Sequence, residues 1–159
     1  MLAMAIWAVI SRWAHVIAAA LLVGGLFFMR VILPGGLALL NPEQRDEVLV
    51  KCRRRFKMTV HPCILLILVS GTYNSYLAFS AYKANPALLH ALWGTHVLLG
   101  LIAIGVALWL FAGRVLRPNT AKFALINLLI LLILIAVAST LKSARETASH
   151  PTVATQPAR

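Results

Sequence analysis

Residues 11–31 read SRWAHVIAAALLVGGLFFMRV. The run is apolar almost throughout, yet Arg12 and His15 stand near its start and Arg30 near its end. A helix crossing the hydrocarbon of a bilayer needs roughly 20 predominantly apolar residues. A cation and an imidazole within such a run are costly unless they reach an interface, a partner or a bound group. The stretch therefore reads as a transmembrane helix with a functional residue in it.

Working outward, about 4–33, 58–79, 88–112 and 121–141 are four stretches of the same kind. The whole chain is 61% hydrophobic and only 12% charged, with a mean hydropathy of +0.87. A soluble domain is about a quarter charged. The expected fold is all-α, a four-helix transmembrane bundle over 1–141, with a polar tail over 142–159 that composition assigns to disorder. The first span lacks a basic segment ahead of its apolar run and is interrupted by Arg12, so it reads as retained rather than as a signal peptide. Pro34, Gly35 and Gly36 are expected to break the helix after span one. Asn41 and Pro42 are expected to start a short amphipathic helix in the following loop. Pro62 is expected in the first turns of span two, where a missing N–H costs least.

The net charge of +11 does not point to nucleic acid, because the basic residues cluster at span ends. Loops one and three with their flanks hold ten Lys and Arg, against five on the opposite side. The excess marks the cytoplasmic side and places both termini outside. Cys52 and Cys63 show no ligand spacing and read as free thiols.

All four acids, Glu43, Asp46, Glu47 and Glu146, lie outside the apolar spans. That removes the carboxylate relay of proton-driven transporters and the paired carboxylates of hydrolases. His15, His61 and His96 remain within spans, with His90 at a boundary. Counted along ideal helices from Arg30 and Arg114, His15 and His96 lie ~23 and ~27 Å from the inner interface. His61 lies only ~6 Å from it, counted from Lys57. Two imidazoles at one level on different helices suit axial ligation of a planar cofactor. Ala18 and Ala19 beside His15, and Gly100 and Ala103 beside His96, leave room for one, though small residues also serve plain helix packing. Arg12, one turn outward of His15, is the candidate partner of a haem propionate. Asn74, ~26 Å from Lys57, falls at the same level.

The order of landmarks resembles a known family. WAHVIAAALLVGGLFFMRVILP, RRRFKMTVHPCILLILVSGTYN and LLHALWGTHVLLGL are similar to segments of the four-helix membrane proteins related to the copper-resistance protein CopD. They also resemble the HemJ group of protoporphyrinogen oxidases. The likeness covers about residues 11–110. It rests on His15, the basic RRRF ahead of span two, Pro62, Gly71 and the Leu-His near the start of span three. It implies haem b, with the role of the span-one ligand falling on His15. The HemJ group has a Lys two residues after its span-three His, where this chain has Leu92. CopD-like segments carry a Lys about where His96 stands. These departures weaken the expectation of porphyrinogen oxidation and suit a second axial ligand.

The expectation is thus one b-type haem held by His15 and His96, with Arg12 and Asn74 beside it. Electron transfer would run between bilayer quinone and an outer-face redox protein, in a multi-pass protein of the bacterial inner membrane. Three rivals stay open at this point: a HemJ-like oxidoreductase, a CopD-like copper transporter using Met1, Met4, His15 and Cys63, and a cofactor-free scaffold subunit. Self-association stays open too.

Overall fold

The computed structural model describes residues 2–78, 86–112 and 120–149. Every element in it is helical: α1 (Leu2–Phe27), a π-helical turn (Phe28–Ile32), α2 (Leu33–Leu37), α3 (Pro42–Ala78), α4 (Pro86–Ala112) and α5 (Thr120–Ser149). Four spans are long and apolar enough to cross a membrane: Met4–Leu37, Pro42–Leu77, His90–Leu110 and Lys122–Ser143. Their outer surfaces are apolar. Trp7, Val16, Leu65 and Leu98 are each about three-fifths exposed, and the pattern continues along α5 at Leu129, Ile133 and Ile135. Water-soluble monomers rarely expose apolar patches of more than a few hundred Å². The medium around these helices is therefore hydrocarbon.

Packing groups the spans in two pairs. α1 runs along α3 and α4 along α5, while α1–α5 and α3–α4 meet more sparingly. In the first pair Ala18, Leu22 and Leu26 of α1 interlock with Val60, Cys63 and Ile64 of α3, all buried. Leu110 of α4 closes this cluster. Gly25 makes the closest approach: a Cβ there would lie 2.0 Å from Cε2 of Phe56, so only glycine admits that ring. In the second pair Trp109 and Phe123 meet edge to face with centroids 5.0 Å apart. Asn127, 1% exposed in α5, has neither amide atom hydrogen-bonded among the described residues.

Four local expectations change. Pro34, Gly35 and Gly36 do not break the helix: they lie within α2, and the chain leaves helix only at Ala38–Asn41. Pro34 has no N–H for the Arg30 carbonyl four residues back. The looser π register immediately ahead, where the Leu33 N–H bonds Phe28 O, accommodates the ring. The loop helix is not short either. Asn41 caps it as expected, its Oδ1 accepting from Gln44 N at 2.9 Å. From Pro42 it then continues unbroken into span two, because residues 43–61 contain no Gly or Pro and are rich in good helix formers. Pro62 consequently lies in the helix interior, twenty residues after Pro42, rather than in a first turn. Its ring is exposed to the apolar surroundings. At the far end α5 runs to Ser149, so 142–149 are helical; 150–159 lie outside the described residues.

Polar ties fix the helix ends. Arg45 Nε donates to Leu37 O at 3.2 Å, satisfying a carbonyl at the end of α2. An Arg53 terminal nitrogen donates to Leu110 O of α4 at 2.7 Å. Cys52 and Cys63 are both free thiols, the first half-buried and the second buried.

Candidate functional site

His15 is half-buried on α1 and faces α3. Its Nδ1 lies 3.0 Å from Ser70 Oγ. The ring rests on Gly71, where a Cβ would stand 3.2 Å from Cε1. One turn outward on α1, Ser11 Oγ donates to Ser70 O at 3.3 Å. Two α1 side chains four residues apart, one face of a helix, thus converge on a single turn of α3.

Ser70 ties the ring to the α3 backbone. Its Oγ lies 2.5 Å from the carbonyl of Leu66 and 3.0 Å from His15 Nδ1, so one hydroxyl links the imidazole to α3 and orients it. Metal-ligating histidines are held in a similar way through their other ring nitrogen.

His96 is half-buried on α4. Its depth follows from the two ties between the antiparallel α3 and α4. Trp93 Nε1 donates to Ser75 Oγ at 3.0 Å, and His96 is three residues inward of Trp93, which matches Thr72. The Arg53–Leu110 bond provides the other anchor. Counted from it, His96 matches about Ile67. Ser70, the partner of His15, lies between these limits, so His15 and His96 stand at one level of α3 to within about a helical turn.

The remaining expected residues fall as follows. Asn74 lies one turn outward of Ser70; its Oδ1 is buried and accepts no hydrogen bond among the described residues. Arg12 is exposed beside Ser11. His61 is exposed, and its Nδ1–H donates to Lys57 O at 2.9 Å, far inward of the His15 level. His90 is exposed near the start of α4. Met4 is 65% exposed. Among the described residues no three His, Cys, Asp or Glu side chains gather as a metal site. Ser11 and Ser70 were not singled out from sequence. The readable signal is spacing: Ser70 precedes Asn74 by four residues and so shares its face, as Ser11 does with His15.

His15 on α1 and His96 on α4 each offer an imidazole, and the two stand at similar depth on different helices. Comparison of the chain with protein-family models, with curated proteins and with solved structures finds no match.

Proposed function

We propose that the chain is a membrane-embedded b-type haem protein that passes electrons within the bilayer. His15 and His96 would be the axial ligands, Ser70 would orient His15, and Asn74 and Arg12 would lie toward the propionate side. The observation that carries this reading is the His15–Ser70 hydrogen bond. When bound, haem supplies one-electron redox chemistry. The chain's own part is to ligate, orient and exclude water. Ser70 would hold the His15 ring through Nδ1. Gly71 admits the ring. The apolar surroundings of α1 and α3 raise the strength of polar contacts at the site. Two protein ligands leave no open position on iron, which favours electron transfer over oxygen chemistry. The resemblance to HemJ and CopD proteins supports haem more than any single reaction. Quinone in the bilayer and a redox protein at the outer face are the partners this reading calls for.

The purified protein is expected to show a Soret band and, on reduction, the sharp α band of six-coordinate low-spin haem b. Protein purified from haem-replete cells without a Soret band ends this reading. Uptake of copper that follows expression and is lost on mutating Met4 would put the transport reading in its place.

The same proposal includes orientation. The ten-to-five excess of basic residues supports a cytoplasmic Ala38–Asn41 turn and external termini, in a bacterial inner membrane on this reading. A reporter inserted at that turn is expected to read as cytoplasmic, and one fused after Arg159 as external. The reverse pattern would move the His15 level to the cytoplasmic leaflet and replace the outer-face partner with a cytoplasmic one.

A further inference from the structure

We infer that a cavity between α1 and α3, at the end of the bundle opposite His15, binds the phosphate headgroup of an anionic lipid. This inference does not rest on the haem reading. The cavity measures about 360 Å³, within the roughly 300–1,000 Å³ of small-molecule sites. Two stripes line it. On α3 these are Lys51, Arg55 and Thr59, at successive turns of one face, with Phe56 beside them. On α1 and the π-helical turn they are Gly25, Phe28 and Met29.

Placement decides the ligand class. Lys51 and Arg55 precede the apolar run of α3, which begins at Met58, and Thr59 lies within it. The cavity therefore lies at the polar–apolar boundary, with Lys51 and Arg55 beside the apolar side chains of Phe28, Met29 and Phe56. A soluble anion would use only the cations; a phospholipid uses both.

Charge points the same way. Residues 51–57 carry five cations, Lys51, Arg53, Arg54, Arg55 and Lys57, and no acid. Lys51 pairs with Glu47, and both side chains are about two-thirds exposed or more. An exposed pair of this kind holds weakly. Arg53 is drawn to Leu110 O, away from this face. Arg55 and Lys51 are left to meet an anion from the membrane. Basic pockets between transmembrane helices recognise anionic headgroups in this way. The local backbone supports the opening. The helix widens to π register from Phe28 onward, where Phe28 and Met29 line the cavity, and π turns recur at functional sites.

The test uses the full chain in detergent micelles containing equimolar phosphatidylglycerol and phosphatidylcholine of identical acyl chains, examined by native mass spectrometry. One retained phosphatidylglycerol is expected. A cation near an anionic headgroup is worth about fivefold in affinity. Lys51→Gln and Arg55→Gln should each lower the preference by about that factor, and the double variant by about 25-fold. Arg54→Gln removes the same charge from a residue that does not line the cavity and should leave the preference unchanged. Thr59→Trp fills the cavity without altering charge and should abolish retention. Helicity by circular dichroism confirms that each variant is folded. Cys52 also lines the cavity, so phosphatidylglycerol should slow its reaction with a maleimide in the wild type and not in the double variant. Equal retention of phosphatidylcholine, equal losses in Arg54→Gln and Arg55→Gln, or displacement of the lipid by excess inorganic phosphate would each overturn the proposal.

Discussion

With haem held as proposed, His15→Ala is expected to strip it from the protein almost completely. The substitution removes a ligand, and its nearest polar neighbours, Ser11 and Ser70, are hydroxyls that do not substitute for imidazole on haem iron. His96→Ala should do the same or leave a five-coordinate, high-spin haem. Ser70→Ala separates orientation from ligation. It keeps the ligand but removes the hydroxyl that holds its ring, and loss of such a partner typically costs 10–100-fold in metal affinity. Haem content should then fall with the strength of the purification detergent, while the spectrum of what remains stays low-spin. Asparagine at position 70 retains an acceptor and should recover part of the loss. Arg12→Ala should keep the haem and lower its midpoint potential, since a nearby cation favours the reduced form. His61→Ala should change nothing, because that ring is tied to Lys57 near the opposite end of the span. An ordinary low-spin spectrum in the His15→Ala, His96→Ala double variant would remove the ligand assignment entirely.

Gly25→Leu is expected to separate α1 from α3. Even a single methyl at Gly25 would overlap the Phe56 ring, with Cζ at 2.6 Å and Cδ2 at 2.9 Å from the new carbon. Phe56 packs against the cluster of Leu22, Leu26, Val60 and Ile64 and also lines the open cavity, so admitting a leucine means moving the ring off that cluster. Overpacking of this kind costs about 1–3 kcal/mol for modest additions, and a leucine is a large one. For a chain of this size each kcal/mol lowers a thermal midpoint by about 2–4 °C. Gly25→Leu should therefore melt several degrees earlier than the wild type in the same micelles. Pairing it with Phe56→Ala vacates the volume the leucine needs, and the double variant should melt above Gly25→Leu alone. If the two substitutions instead add, the close approach is not what holds this end of the pair together. Gly24→Leu is the matched control, since a Cβ at Gly24 meets nothing within 4 Å.

The four spans were legible because an apolar run of twenty residues leaves a chain few alternatives in lipid. The Asn41 cap was legible for a similar reason: its chemistry is local. What misled was punctuation. Pro34 with the following glycines stops helices in water, where exposed backbone finds solvent. In hydrocarbon a broken helix leaves unsatisfied amides, so the chain adjusts its register ahead of Pro34; and because the loop helix joins span two, Pro62 falls in a helix interior instead of a first turn. The His15–Ser70 contact was hidden for a different reason. Periodicity gives a residue its face, and counting from flanking cations gives its depth, but which helix it faces depends on packing between segments 55 residues apart. His15 was expected to look toward α4. Its described bonds are to α3, and α4 enters the site through the Trp93–Ser75 tie.

The pairing of α1 with α3 and of α4 with α5 also sets an order of assembly. Each pair joins consecutive membrane crossings, so each can settle in the bilayer as a hairpin soon after synthesis, with little sequence distance to close. Docking of one hairpin on the other comes last and rests on fewer contacts among the described residues: α5 on α1 and the π-helical turn, Leu110 against the first core, and the bonds of Arg53 and Trp93. Two polypeptides cut between the hairpins should therefore insert independently and find each other in the membrane. A ligand gripped from both sides, by His15 on one and His96 on the other, would act as the clasp that makes the union last.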